Sequence, residues 1–272
     1  MAANSTALPI TASETRNEIL LPAFTLWLRE VVRFYRQRSR VVGVIASPIL
    51  FWVAIGSGFG TSFRSGANGS QNYLEYFYPG ALIMIVLFTS IFTMMSVIED
   101  RKEGFLLSVL VAPVSRSAIV LGKVLGGTTL STIQGLIFLV FAPLVGVHIG
   151  LGDFALIVVT IFLISFALTA LGFAIAWPMD STQAFHAIIN LFLIPLWLLS
   201  GAMFPMSGAS VWLRVVMRIN PLTYGVEALR QLLYPTNQSS VAASLATLVL
   251  FSLFLFGLSF VLVNRRTTKP AA

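Results

Sequence analysis

Apolar residues run without an Asp, Glu, Lys or Arg at six places in the chain: approximately 41–59, 79–98, 124–147, 154–177, 184–204 and 241–263. A hydrocarbon layer about 30 Å thick needs roughly 20 apolar residues at the rise of a helix, so each run is read as a transmembrane helix. Barrel strands would be shorter and would alternate polar with apolar positions, which these runs do not. The predicted fold is an all-α polytopic membrane protein with six transmembrane helices. The longest connection, 205–240, has 36 residues and leaves no room for an inserted soluble domain. The chain therefore divides into a tail 1–20, one membrane domain 21–264, and a basic tail 265–272.

Three segments between the runs carry their own patterns. In the segment 21–40, Phe24, Trp27, Leu28, Val31 and Tyr35 fall on one arc at helical spacing, while Arg29, Arg33, Arg36 and Arg40 take the other side. That pattern predicts an amphipathic helix in the interface, with Trp27 and Tyr35 as anchors and the arginines turned to lipid phosphates or an acidic partner surface. Its plain reading is membrane anchoring alone. After the second run, the charged stretch Glu99-Asp100-Arg101-Lys102-Glu103 and Gly104 lead into Phe105-Leu106-Leu107-Ser108-Val109-Leu110-Val111-Ala112. This apolar stretch is too short to span, Pro113 stops it, and Ser115 can cap the next helix beside Arg116. Such a helix rests on the bilayer or buries itself in a groove. The third segment, between runs five and six, holds Trp212, Leu213, Val215, Val216 and Ile219 between Pro205 and Pro221, too apolar for a solvated loop, and is read as dipping into the membrane and returning. Asn220-Pro221-Leu222-Thr223-Tyr224 follows, with Glu227 and Arg230 spaced to pair on a helix.

Composition agrees with a bilayer protein: 57% of the 272 residues are hydrophobic and 10% charged, with a mean hydropathy of +0.90. The absence of Cys excludes a disulfide framework, a thiolate metal site and a cysteine nucleophile, and two His make a dedicated metal enzyme a poor fit. The net charge of +7 lies mostly in the loops, so it is read as a topology signal rather than a nucleic-acid surface. Of 17 Lys and Arg, 13 fall in the segments on the side of the two termini, which places both termini in the cytoplasm. The segment between runs four and five carries none, and Asp180 and His186 there settle nothing. Residues 1–20 lack the basic start and apolar run of a secretory signal.

Ion-driven transport needs a titratable or ion-coordinating group near the midplane. Within the runs as drawn, the polar candidates are Gln134, His186 and Asn190, which read more simply as interhelical hydrogen-bonding groups. Gly122-Lys123 is followed by Val124, and Ser117 stands where a phosphate-binding loop needs its first Gly, so this chain is not the ATPase itself. A membrane-bound transferase would need a convergent acidic or His site, and the close acids Glu99, Asp100 and Glu103 are interrupted by Arg101 and Lys102. Met84, Phe88, Phe92 and Met95 make a stripe on the second run, open to two readings: lipid-facing packing, or the wall of an apolar route. Gly122 with Gly126, and Ala170 with Ala174, have the spacing of close helix contacts.

Two motifs carry a family resemblance. Glu103-Gly104 with the Leu-rich stretch ending Ala112-Pro113-Val114-Ser115-Arg116, and Asn220-Pro221-Leu222-Thr223-Tyr224 with Glu227-Ala228-Leu229-Arg230, resemble the membrane permeases of type-2 ABC exporters, in the branch of daunorubicin-resistance and polysaccharide- or nodulation-factor export permeases. The likeness extends from about Leu21 to Arg265 and Arg266. It implies a permease of the bacterial inner membrane that pairs with a second copy, or with a similar permease, on two cytoplasmic ATP-binding subunits. Such a permease would bind no cofactor or metal itself, ATP and Mg being held by the ATPase. Glu99, Arg101, Glu103, Gly104, Phe105, Leu106, Leu107, Val109, Leu110, Pro113 and Arg116 would form the coupling helix and its flanks. Trp27, Arg29, Arg33, Arg36 and Arg40 would belong to the interfacial helix, and Asn220, Pro221, Tyr224, Glu227 and Arg230 to short external re-entrant helices. The implied function is export of a hydrophobic or amphipathic substrate; the alternative is a secondary transporter or channel without an ATPase.

Overall fold

The computed structural model describes residues 12–59, 73–112, 114–147, 149–234 and 240–265, and among them it is helical with no strand. The order is α1 (Ala12–Arg36), α2 (Arg38–Phe59), α3 (Tyr73–Lys102), α4 (Phe105–Val111), α5 (Arg116–Leu139), α6 (Leu151–Ala176), α7 (Thr182–Ile188), α8 (Ile194–Trp197), α9 (Val211–Ile219), α10 (Pro221–Leu233) and α11 (Val241–Asn264). Among the described residues, four stretches are long and apolar enough to cross a bilayer: Tyr73–Lys102, Leu151–Ala176, Thr182–Ala202 and Val241–Asn264. They contain the second and sixth predicted runs and all but the last one or two residues of the fourth and fifth. The first run falls on α2, whose apolar part, Pro48–Gly58, is shorter. The third falls on α5 but stops early, at Leu139 rather than 147. A 3-10 turn, Ala142–Val145, follows, because Pro143 has no N–H to continue the helix and Gly146 reverses the chain at φ 73°.

α3 is the centre of the molecule, packed between α2, α5 and α6, with α11 on the far side of α6. Glycines on α5 let it approach closely: a Cβ on Gly127 would sit 2.6 Å from Thr169 of α6, and one on Gly135 would sit 2.9 Å from Ile161. The buried hydroxyls of Thr89, Thr93, Thr128, Ser131 and Thr169 each donate to the carbonyl four residues earlier, which satisfies them without a partner helix. On the other side of α6, Ser259 of α11 donates to the carbonyl of Ala170 at 3.0 Å, so the Ala170 and Ala174 spacing marks a real helix contact.

Several connections lie together at one end of the bundle. Arg101, at the end of α3, donates to the carbonyls of Trp177 and Met179 and meets Asp180, so the turn after α6 lies beside α4. Arg116, at the start of α5, reaches the carbonyl of Val263 at 3.2 Å, which brings the end of α11 to the same side. α1 lies along α5 at this end as well. The turn between the fourth and fifth runs, which the charge count left undecided, is thereby placed with the N-terminal arm. The parts of the two predicted tails over 1–11 and 266–272 lie outside the described residues.

Candidate functional site

At the α4 end, α1 is held by a buried ionic cluster. A Cβ on Gly122 would come within 2.6 Å of Leu26 and one on Gly126 within 2.8 Å of Glu30, so these glycines seat α1 directly against α5. The seat brings Glu30 of α1 to Lys123 of α5: Nζ donates to Glu30 Oε1 at 2.6 Å, to Ser96 Oγ at 3.1 Å and to Asp100 Oδ2. Ser96 in turn donates to Glu30 Oε2 at 2.7 Å. Lys123, Glu30 and Asp100 are 1%, 2% and 0% exposed, so each depends on the others for the hydration it has lost. Arg29 forks onto both Asp100 oxygens at 2.8 and 2.7 Å, and this bond raises its pKa above the ordinary arginine value. Arg33 bonds Asp100 at 2.7 Å and Glu99 at 2.9 Å, and extends toward Glu103 at 3.5 Å.

This corrects two expectations. Arg29 and Arg33 are not turned to lipid phosphate or a partner; the acids of the α3–α4 junction hold them inside the chain. Arg36 is exposed, and the side chain of Arg40 lies outside the described residues. Nor are the long helices free of charge, since α3 extends to Asp100 and α5 begins before Lys123. Both residues lie just outside the charge-free runs, and inside the bundle each ion neutralises the other. The signal was present: Glu30 stands on the face of Ala23, Leu26 and Phe34, all buried, whereas Phe24, Leu28 and Tyr35 of the predicted arc are exposed. Trp27 lies between the two faces and donates to Thr129 at 3.0 Å.

α4 hangs from this cluster. Gly104, at φ 77°, makes the turn between α3 and α4 in a conformation that favours glycine. The Arg29 guanidinium lies 3.7 Å from the centre of the Phe105 ring. Leu106 is buried with Leu26 of α1 and Ile119 of α5, with Val109 packed beside them. Leu107 and Val111 are 66% and 80% exposed, and Leu110 is exposed between them. An apolar cleft of about 450 Å³ opens between Leu106, Leu107 and Leu110 of α4 and Trp177, Pro178 and Asp180, with Arg101 at its wall. Pro113 lies outside the described residues.

At the opposite end the helix Thr182–Ala202 is irregular. It contains π turns at Ile189–Leu193 and Leu198–Ala202, and Gly201 takes φ 80°. The carbonyls freed there are met by side chains from neighbouring helices. Gly201 accepts from Tyr76 at 3.1 Å and Arg230 at 3.0 Å, Met203 accepts from Tyr73 at 3.0 Å, and Leu196 accepts from Asn220. Arg230 thus turns to Gly201 and lies 4.2 Å from the Tyr76 ring centre, rather than closing the expected ion pair with Glu227. The motif around Asn220 is the corner between α9 and α10: Asn220 caps the Leu222 N–H, Pro221 takes the first helical position, Thr223 donates to Met217, and Tyr224 donates to Arg218. Tyr73, Tyr76, Trp197 and Gly201 were not singled out from sequence, because their roles come from a helix break that hydropathy does not register.

Of the Met and Phe stripe, Phe88 stacks on Phe92 at 5.6 Å and Phe92 meets His186 at 5.4 Å, so the stripe faces the irregular helix. Met84 and Phe88 line a cavity there, and Met95 packs at the edge of the core. Gln134 is buried and its Oε1 has no partner among the described residues, while Asn190 is exposed.

The family model described as ABC-2 type transporter matches residues 23–234. The transport permease ycf38 of Cyanophora paradoxa is 29% identical over 85% of this chain and 80% of its own length. The daunorubicin resistance ABC transporter permease protein DrrB1 of Streptomyces coeruleorubidus is 23% identical over 78% of this chain and 74% of its own. YbhR of Escherichia coli strain K12, named as a multidrug ABC transporter permease, is 26% identical over 62% of this chain and 46% of its own.

Proposed function

The chain belongs to the ABC-2 type transporter family, and on that premise we propose that it is the permease subunit of an exporter in the bacterial inner membrane, driven by a separate cytoplasmic ATP-binding subunit. In this reading α2, α3, α5, α6, the helix 182–202 and α11 are six spans, and both termini and α4 face the cytoplasm. α1 is the interfacial helix, and α9 with α10 form the external re-entrant pair. Two permeases, as a homodimer, enclose a route for a hydrophobic or amphipathic substrate, and ATP and Mg are bound by the partner.

The observation that carries this reading is α4: a two-turn helix with one apolar side packed inside the chain and another, Leu107, Leu110 and Val111, exposed. A stroke delivered to that exposed side would pass to α1 through Arg29 and to α3 and α5 through Asp100 and Lys123, since these groups form one bonded body. The competing reading, an ion-coupled transporter, meets an obstacle at the broken helix. Unwound helices in such proteins offer carbonyls to the coupling ion, whereas here Gly201 already accepts from Arg230 and Tyr76.

The test is purification of the tagged chain from its host in mild detergent, with mass spectrometry of what accompanies it. A stoichiometric ATP-binding subunit is expected with the native chain and is expected to be lost in Leu107→Asp, which changes only an exposed position. Leu106→Asp should instead lower the yield of folded permease, because Leu106 belongs to the chain's own packing. A folded Leu107→Asp permease that retains its ATPase would remove the docking role from α4.

A further inference from the structure

Between α2, α3 and the irregular helix lies a cavity of about 210 Å³ lined by Phe51, Met84, Leu87, Phe88, Ile194 and Trp197. Its walls come from three separate parts of the chain, and three of the six residues are aromatic. Phe51 and Trp197 meet edge to face at 6.2 Å, and Phe77 supports Trp197 from behind at 6.0 Å. Trp197 cannot swing in to fill the space: its indole N–H donates to the carbonyl of Gly80 at 2.9 Å, and Gly80 is itself pressed against Ala202. The same bond occupies the sole side-chain hydrogen-bond donor among the described residues of the lining.

From this geometry we infer that the cavity is a binding site for a neutral, ring-sized apolar group, either a free aromatic compound or the aromatic part of a larger amphipathic molecule. Size supports the class, since a dry apolar cavity of about 150 Å³ holds benzene and this one is somewhat larger. The chemistry of the walls narrows it further. Aromatic faces and edges and the Met84 thioether favour a ring over a flexible chain, because offset and edge-to-face contacts add to simple burial. A charged or hydroxyl-rich group would lose its hydration and find no partner. The site reaches Phe51 on α2 and Ile194 and Trp197 on the irregular helix, none of which belongs to the stripe seen in the sequence. The inference deepens the exporter reading by giving the substrate's apolar part a seat, and so rests on it for its biological meaning.

The test uses the full chain in lipid nanodiscs without any ATPase, so its failure is separable from failure of the exporter reading. The neutral photolabel 5-iodonaphthyl-1-azide is photolysed with and without excess naphthalene, and labelled peptides are mapped by mass spectrometry. Naphthalene at ten times its dissociation constant should cut labelling of Phe51, Met84 and Phe88 about tenfold, while labelling of the exposed Leu250 and Phe254 on α11 should stay unchanged. Leu87→Phe and Met84→Trp, which fill the space from two sides, should each abolish the protectable labelling and leave the α11 labelling as an internal control of folding. Acyl chains of the bilayer are the other source of apolar groups. If they occupy the cavity, naphthalene will give no protection, and that result overturns the inference, as does protectable labelling that survives in both filled variants.

Discussion

Lys123 shows how a charge can be buried in a membrane bundle at tolerable cost. It is 1% exposed and bonded to two carboxylates and a hydroxyl, and one of those carboxylates, Asp100, also receives Arg29 and Arg33. Removing one member strands the rest. Lys123→Met should therefore destabilise the fold by about 3–5 kcal/mol, because Glu30 loses its 2.6 Å partner and is left buried with only the longer 3.4 Å contact of Arg29. Lys123→Met combined with Glu30→Met should recover most of that loss, Asp100 keeping its two arginines. Thermal unfolding in detergent checks both variants. Equal loss in the single and double variants would show that Lys123 acts through packing rather than pairing.

At the scale of elements, α1 is positioned by backbone approach as much as by charge. The Gly122 position has Leu26 Cβ and the Ala23 carbonyl within 2.7 Å of where a Cβ would lie, so Gly122→Ala must displace α1. A loss of about 1–3 kcal/mol is expected, with faster proteolysis at exposed Leu20 and Leu21; an unchanged cleavage rate would contradict this seat. Hydropathy made α3, α6, the helix 182–202 and α11 legible, because continuous apolar runs of that length have few other uses. It read α5 and α1 less well. α5 mixes glycines and hydroxyls with its apolar residues to let neighbours close in, and its Lys123 looked like a loop residue. The buried face of α1 includes an acid, Glu30, and so leaves no apolar pattern, while the arc of Phe24, Leu28 and Tyr35, read as lying in the interface, is exposed. The two motifs fall on α4 and on the corner at Asn220. Their internal bonds, Arg29 over Phe105 and Arg230 on Gly201, join positions more than 25 residues apart and leave no periodic trace.

Across the whole molecule, α1, α4, the turn at Trp177–Asp180 and the end of α11 gather at one end, while the helix break at Leu198–Ala202 and the α9–α10 corner occupy the other. The exposed side of α4 stands at the first end, and the charged cluster joins it to α1, α3 and α5, of which α3 and α5 run toward the second. Because the chain contains no Cys, a single introduced thiol reports one position without background. The decisive measurement is crosslinking in native membranes from Leu107→Cys, with Val215→Cys on the exposed face of α9 as the opposite-end control. The account predicts a product joining the permease to an ATP-binding subunit from Leu107→Cys alone, its yield changing when ATP is added. No ATPase adduct from Leu107→Cys, or equal adducts from both positions, would contradict it.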